Sequence, residues 1–207
     1  SFTLLPDTWS PAPLSVPDPP IYLAGVREWM CRMIGEVADG MKVHPLHTTT
    51  YLDRLVRPNV EVGLARSGRT LADLDLVVPV MTAVADTEAD LMRQREQLRA
   101  RLAFYGSTPG YGVVFDASGW EGVGERLNHL MRERNVDEMA RTITDEMLEQ
   151  MSITATWEEL PSMLYEKYRG RASRLVCYSA LEQWRQDPVA EERWRDVVRE
   201  FDRIAND

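Results

Sequence analysis

Residues 74–85 read LDLVVPVMTAVA, which is the longest apolar run in the chain. A run of this length without polar alternation predicts a strand that is buried on both faces, as in parallel sheets. Pro79 lies within the run and indicates an irregularity in the strand. Shorter apolar runs predict three further strands, near residues 20–25, 41–45 and 173–179.

Helical patterns separate these strands. Apolar residues three or four positions apart predict one helix over Glu28–Asp39 and another over Thr50–Gly63, which Pro58 should kink. Asp86-Thr87-Glu88 predicts the start of a long charged helix that runs to Phe104. Further helices are predicted near 121–134, 136–150, 156–168 and 187–205, with an ordered loop at 106–120. Strands that alternate with helices form a parallel sheet with right-handed crossovers, so the predicted class is α/β.

The composition is that of an ordinary globular protein. The chain has 207 residues, of which 44% are hydrophobic and 28% charged. A net charge of −9 and a pI near 5.0 argue against a nucleic-acid partner, which needs a basic surface. No apolar run approaches the roughly 18 residues of a membrane span, and the first residues lack the pattern of a secretory signal. We therefore expect a cytoplasmic protein without a membrane partner, in which Cys31 and Cys177 are free thiols.

The predicted sheet is incomplete by itself. Residues 1–20 contain six prolines, so the segment 1–19 is predicted to be a surface arm and not a strand. We treat residues 1–207 as a single partial domain, in which residues 86–168 form a mostly helical insertion. Four parallel strands with helices on one side leave a face and two edges exposed. We therefore expect a piece of a longer polypeptide, or a chain that another chain completes.

Three stretches carry a resemblance to a known family. They are residues 19–52, PPIYLAGVREWMCRMIGEVADGMKVHPLHTTTYL, residues 74–91, LDLVVPVMTAVADTEADL, and residues 151–179, MSITATWEELPSMLYEKYRGRASRLVCYS. Their order resembles the C-terminal half of luciferase-like monooxygenases, especially the branch that uses the deazaflavin coenzyme F-420. The resemblance implies an α/β fold that is the C-terminal half of a (β/α)8 TIM barrel, strands five to eight, with a helical insertion before the last strand.

The sequence departs from the family pattern in two places. The family's first four strands precede the matched region and supply the usual catalytic acid or base, so the catalytic residues are unknown. The family usually has a Gly-Thr-Pro-like helix start before the last strand, whereas this chain reads Thr154-Ala155-Thr156-Trp157. Thr156 can still cap that helix, with Glu159 three residues later in a capping box.

Two loops are candidate cofactor-binding segments. Ala24, Gly25, Val26 and Arg27 connect a strand to a helix, where free backbone N–H groups bind phosphate and a glycine permits close approach. The resemblance implies that this loop contacts the phosphate-bearing tail of the cofactor. The alternative is an ordinary turn with Arg27 in solvent.

The second loop contains His44, Pro45, His47 and Thr48, after the next strand. His47 or Thr48 could contact the phosphate or the ribityl hydroxyls, and His44 could point into the pocket. The alternative is two loop histidines and a threonine that caps a helix. No metal site is predicted, because zinc needs three or four ligands and the two histidines have no third ligand nearby. The loop at 106–120 either lines a substrate pocket or packs under the helical insertion.

The resemblance implies an oxidoreductase that transfers hydride or incorporates oxygen with coenzyme F-420 or, alternatively, FMN. The cofactor would perform the chemistry while the protein binds and orients it. The expected partners are a small-molecule substrate and either the missing N-terminal half or a second copy, which would make a homo-oligomer. The rival hypothesis is a non-catalytic half-barrel that binds a flavin or a partner chain without turnover.

Overall fold

The computed structural model describes residues 16–178, 180, 183, 185 and 187–206, so most of the predicted proline-rich arm lies outside the described residues. The strands are β1 (Tyr22–Ala24), β2 (Gly40–Lys42), β3 (Asp75–Val84), β4 (Ser152–Ala155) and β5 (Arg174–Cys177). The helices are α1 (Glu28–Val37), α2 (Thr49–Tyr51, a π-helical Leu52–Val56 and Arg57–Arg66), α3 (Glu88–Gly106), α4 (Gly112–Ala117), α5 (Val123–Arg132), α6 (Val136–Thr142), α7 (Asp145–Met151), α8 (Leu160–Tyr168) and α9 (Pro188–Asn206). None of these helices combines the length and apolarity that a membrane span requires.

The strands form one parallel sheet, which confirms the α/β class. β2 pairs with β1 and β3, while β3 pairs with β5 along Val77–Val80 and with β4 along Met81–Val84. All four predicted strands are present. β4 was not predicted, because its four residues follow directly on α7 and its partner β3 is distant in the sequence.

Pro79 does not interrupt β3, and the irregularity predicted there is confined to the pairing with β2. The Val77 carbonyl accepts from Val43 N–H on the β2 side at 2.9 Å, and the Val80 carbonyl accepts from Tyr178 N–H on the β5 side at 2.8 Å. The backbone N–H and carbonyl groups of successive residues point to alternate sides of a strand, so the backbone nitrogen of Pro79 points toward β2, as the Val77 carbonyl does. The missing N–H is the donor that would extend the β2 ladder past Val43. Pro79 therefore ends the pairing with β2 and leaves β5 its hydrogen bonds.

Helices pack on one face of the sheet, whereas the other face is partly exposed to solvent. The helices cover the face that carries Met41, Val78 and Val80, each 0% exposed. The opposite face, which we call the open face, has exposed side chains on β1, β2 and β5, namely Tyr22, Ala24, Lys42, Arg174 and Val176. Even there β3 is covered, since Val77 is only 7% exposed. Solvent therefore reaches the open face along its flanking strands.

Helix α2 shows the disturbance predicted at Pro58. The segment before the proline is π-helical, and Arg57 N–H donates to the carbonyl of Leu52, five residues earlier. Proline lacks an N–H and its ring collides with the carbonyl four residues before it, so the wider turn accommodates the ring.

Two other predictions need correction. The predicted helix at 136–150 is two helices, because Thr144 caps α7 by accepting from Met147 N–H at 3.2 Å. The predicted loop at 106–120 contains the short helix α4.

Candidate functional site

The loops that follow β1 and β2 lie at the carboxyl end of the sheet, and Tyr51 joins them. Its hydroxyl donates to the carbonyl of Val26, and its backbone N–H donates to Thr48 Oγ1 at 3.0 Å. Burial raises the pKa of Tyr51, so its hydroxyl remains a donor at neutral pH. The two candidate segments are therefore held in one rigid unit, with the buried Tyr51 between them.

Gly25 has a packing role in the first loop. A Cβ at this position would lie 2.8 Å from Met30 Cβ and 2.9 Å from Ile34 Cδ1, so only glycine lets α1 pack this closely against the end of β1. Ala24 is the exposed last residue of β1, and Val26 is half-buried. The Val26 carbonyl accepts the hydrogen bond from Tyr51 and is not available to a ligand. The groups of this loop that can bind a ligand are therefore the Arg27 side chain and the backbone N–H groups that follow it.

Arg27 occupies the N-cap position of α1 without a side-chain cap. The N–H groups of Glu28, Trp29 and Met30 have no acceptor among the described residues. Such free N–H groups, with the positive end of the helix dipole, favour an anion. The Arg27 side chain forms no ion pair within the described residues and reaches Gly110, where a Cβ would lie 3.8 Å from its Nε.

A cleft of about 810 Å³ opens between the start of α1 and the segment from α3 to α5. We call it the α1–α5 cleft. Its lining residues are Arg27, Glu28, Trp29, Thr108, Pro109, Gly110, Gly112, Val113, Asp116, Gly122, Gly124, Glu125, Asn128 and Arg132. Three carboxylates share this wall with two arginines, so an anion is favoured only near Arg27 and Arg132.

The loop predicted at 106–120 takes both of the roles that the sequence left open. Thr108 to Val113 line the cleft, whereas Phe115 is fully buried in the core. Arg132 and Asn128 were not singled out from the sequence. They lie on α5, and only the close approach of Gly112 to Gly124 brings that helix to the cleft.

His44 is held as a neutral donor at the end of β2. Its Nδ1 accepts from Leu46 N–H at 3.1 Å, so the proton of the neutral ring is on Nε2. Burial lowers the pKa of His44, which keeps the ring uncharged at neutral pH. The ring packs against Tyr111, with ring centres 4.4 Å apart, and edge-on against Tyr105 at 5.1 Å.

Tyr105 extends this aromatic wall to β5. Its hydroxyl lies 2.7 Å from that of Tyr178, and the guanidinium of Arg101 lies 6.0 Å from the centre of the Tyr178 ring. Burial and the Tyr178 hydroxyl raise the pKa of Tyr105 to about 12, so Tyr105 stays protonated at neutral pH. One of the two hydroxyls must donate to the other, which leaves the second proton for an external acceptor.

The polar side-chain atoms of His47 and Thr48 are all engaged by residues that the structure describes. His47 is 0% exposed, with Nδ1 3.1 Å from the His44 carbonyl and Nε2 3.0 Å from the Tyr168 hydroxyl. Thr48 caps α2 and shares a hydrogen bond of 2.7 Å with Ser118 Oγ. Their direct contact with a cofactor is therefore disfavoured, and the helix-cap alternative describes Thr48. Pro45 lies half-buried in the turn between the histidines.

The described residues contain no group of three or more His, Cys, Asp or Glu side chains arranged to hold a metal ion. Both cysteines are free thiols.

Comparison with known proteins gives consistent matches over most of the chain. The sequence profile of a family described as luciferase-like monooxygenase matches residues 2–174. An uncharacterized protein of Mycobacterium tuberculosis is 33% identical over 168 residues, which are 81% of this chain and 49% of that protein. A 5,10-methylenetetrahydromethanopterin reductase of Archaeoglobus fulgidus is 24% identical over 166 residues, which are 78% of this chain and 48% of that protein. The chain thus spans about half the length of the curated relatives it matches.

A solved structure shows the same fold. It is the coenzyme F-420-dependent tetrahydromethanopterin reductase of Methanopyrus kandleri, with a TM-score of 0.62 and 18% sequence identity. The superposition covers 76% of this chain and 44% of that one.

Proposed function

Because this chain belongs to the luciferase-like monooxygenase family, we propose that it forms the cofactor-tail side of an oxidoreductase that uses coenzyme F-420, or alternatively FMN. When bound, such a cofactor supplies the redox chemistry itself, by hydride transfer or, with FMN, reaction with oxygen. The described residues would bind it, orient it and keep water from it. The substrate is a small molecule whose identity is left open.

One observation carries the proposal: Arg27, which forms no ion pair with any residue that the structure describes, precedes the first turn of α1 and lines the α1–α5 cleft. This helix N-terminus has no side-chain cap. A phosphate group fits this arrangement, because it can accept from both the free N–H groups and the guanidinium. Asp116 and Glu125 repel an anion elsewhere in the cleft, and the Glu28 carboxylate, beside Arg27 in the chain, forms an ion pair of 3.6 Å with Arg32. The phosphate would therefore lie next to Arg27, and the rest of the tail would run over the glycine-lined wall.

His44, Tyr105 and Tyr178 would face the reacting end of the cofactor. Tyr105 lies between the other two at the carboxyl end of β2 and β5, where its ring contacts those of His44 and Tyr178. His44 presents its Nε2–H, and the Tyr105–Tyr178 pair has one hydroxyl proton beyond the one that joins the two rings. They are suited to hydrogen-bond a carbonyl or hydroxyl oxygen without introducing a charge.

The test is a binding titration with coenzyme F-420 and with FMN, followed by absorbance and fluorescence. We expect saturable binding that Arg27→Glu weakens by about 1–3 kcal/mol, the scale of a lost charged hydrogen bond. Arg54→Glu makes the same change of charge at an exposed position on α2 and should leave the affinity unchanged. Absence of saturable binding by both cofactors would contradict the proposal, and an unchanged Arg27→Glu affinity would remove Arg27 from the site.

Turnover separates an enzyme from the rival non-catalytic binder. Candidate substrates are added to the chain with the reduced cofactor, without oxygen for coenzyme F-420 and in air-saturated buffer for FMN. Oxidation of the cofactor is followed by absorbance against a sample without substrate. Binding without any substrate-dependent oxidation would favour the rival.

A further inference from the structure

Four neighbouring side chains at the carboxyl end of the sheet carry protons for which the described residues offer no acceptor. Leu46 N–H occupies His44 Nδ1, and the His44 Nε2–H has no partner within the described part of the chain. The same holds for the hydroxyl of Tyr111, whose ring lies 4.4 Å from that of His44. The hydroxyls of Tyr105 and Tyr178 are 2.7 Å apart, so one of their two protons is surplus. Together these side chains offer three hydrogen-bond donors to a ligand.

The electrostatic surroundings of these donors favour an oxygen that gains negative charge. Among the described residues, Arg101 is the charged side chain that acts on Tyr105, and its guanidinium lies 6.0 Å from the centre of the Tyr178 ring. Burial lowers the pKa of His44, and none of the described carboxylates contributes to the pKa of His44 or Tyr105. Neutral donors next to a cation stabilise an oxyanion more than they stabilise a neutral carbonyl oxygen.

Aromatic surface surrounds the donors. The ring of Tyr105 lies 5.1 Å from that of His44, 5.9 Å from that of Phe104 and 6.5 Å from that of Tyr178. Tyr178 is 37% and Phe104 57% exposed, so both rings retain surface that a ligand can cover. Aromatic rings pair favourably edge-on or offset at such distances. The surface therefore fits a ligand that carries its oxygen next to an aromatic ring.

We propose that His44, Tyr105, Tyr111 and Tyr178 bind the oxygen of the substrate, and that the substrate is an aromatic aldehyde or ketone. The inference rests on the proposed function, which supplies the hydride donor, a reduced deazaflavin or flavin. Reduction adds hydride to the carbonyl carbon, and the electron pair of the C=O π bond moves to the oxygen. That oxygen takes the surplus hydroxyl proton of the Tyr105–Tyr178 pair, which regains a proton from water. His44 and Tyr111 stabilise the charge while it develops.

The experiment uses 4-nitrophenol, whose oxygen stands in for the oxygen that gains charge. The phenolate absorbs visible light and the neutral phenol does not, so absorbance reports the pKa of the bound molecule. The full 207-residue chain is titrated with 4-nitrophenol, without cofactor, across the pH range in which the free phenol ionises. We expect saturable binding and a bound pKa about one unit or more below that of the free phenol, which means that the phenolate binds about 10-fold or more tightly than the phenol.

A matched pair of variants identifies the donors. Tyr178→Phe removes a hydroxyl and keeps the ring, so we expect it to abolish the preference for the phenolate. Its affinity for 4-nitrotoluene, which has the ring and lacks the oxygen, should be that of the wild type by calorimetry. Tyr165→Phe makes the same change on α8, where the Tyr165 ring packs against Phe201, and it should alter neither quantity.

Competition with 4-nitrophenol tests the substrate class. Acetophenone and cyclohexyl methyl ketone carry the same carbonyl group on an aromatic and on a saturated ring. We expect acetophenone to compete about 10-fold better or more, because only its ring can pair with the exposed faces of Phe104 and Tyr178.

Four results would overturn the proposal. Absence of saturable 4-nitrophenol binding means that the donors do not form a site, and an unchanged pKa on binding means that they do not reach the ligand oxygen. A Tyr178→Phe variant that keeps the preference for the phenolate places the ligand elsewhere. Equal competition by the two ketones removes the aromatic substrate. All of these measurements are made without cofactor, so their failure is distinguishable from failure of the coenzyme F-420 and FMN titrations.

Discussion

At the scale of single residues, His47 illustrates what burial does to a titratable group. Burial, reinforced by the nearby charge of Lys167, lowers the pKa of His47 to about 4. Both ring nitrogens are within hydrogen-bond distance of protein atoms. His47 therefore links the β2–α2 loop to the end of α8 as a neutral ring.

This burial predicts a specific loss of stability in acid. In the unfolded chain histidine titrates near its ordinary pKa of about 6.5, whereas in the folded chain His47 stays neutral down to about pH 4. Between these values the unfolded state binds more protons, so stability falls as the pH falls. We expect His47 to account for a loss of about 2 kcal/mol between pH 7 and pH 5.

Urea denaturation of the wild type and of His47→Gln across this range measures the effect. The variant should be less stable at pH 7 because its buried hydrogen bonds are imperfect. The difference between the two proteins should shrink as the pH falls, since only the wild type has this histidine to protonate on unfolding. Parallel stability profiles would contradict the burial argument.

Local side-chain geometry could be predicted from the sequence where both partners are close in the chain. The predicted capping box is present: Thr156 N–H donates to Glu159 Oε2 at 3.0 Å, and Glu159 N–H donates to Thr156 Oγ1 at 3.3 Å. The position of His47 could not be predicted, because its partner Tyr168 is 121 residues away. The same limit applies to Arg132, which reaches the cleft only through the packing of α5.

At the scale of elements, the crossing of α1 and α2 depends on two glycines. A Cβ on Gly63 would overlap the carbonyl oxygen of Arg32, and a Cβ on Gly35 would overlap that of Val60. The helices therefore approach with backbone against backbone. This crossing positions α1, and with it Arg27, against the sheet.

Gly63→Ala should destabilise the protein. Overpacking costs about 1–3 kcal/mol, and more where a backbone must move, whereas alanine gains only about 1 kcal/mol in a helix interior. We expect a net decrease in the free energy of unfolding, measured by chemical denaturation. Gly112→Ala is the control, because its Cβ would lie 3.8 Å from the nearest atom, an ordinary contact. An equally stable Gly63→Ala variant would show that the helices separate at little cost.

Elements with a strong local pattern could be predicted, and those that depend on distant pairing could not. The long apolar run predicted the start of β3 to within one residue. Pro58 predicted the disturbance in α2, which is the π-helical segment before it. β4 has only the residues Ser-Ile-Thr-Ala, and it forms a strand because Met81–Val84 pairs with it. Pro79 ends the pairing with β2 and not with β5 because its backbone nitrogen points toward β2. Which strand lies on that side is known only once the sheet is assembled.

At the scale of the whole molecule, the sheet combines a well-protected centre with exposed margins. β3 is paired on both sides, and all of its residues except Asp75 are buried. β1 has three residues, of which Tyr22 is 40% exposed, and β5 carries the similarly exposed Val176. The margins border the open face, so their stability should depend on what covers that face.

Hydrogen exchange followed by mass spectrometry tests this division. The backbone N–H groups of β3 should exchange only through global unfolding, whereas those of β1 and β5 should exchange through local opening, roughly 100-fold faster or more. Peptides covering 20–26 and 173–178 should therefore exchange well before peptides from β3. Uniform exchange across β1, β3 and β5 in the isolated chain would mean that the sheet opens as one unit. In that case the exposure of β1 and β5 costs the fold no local stability.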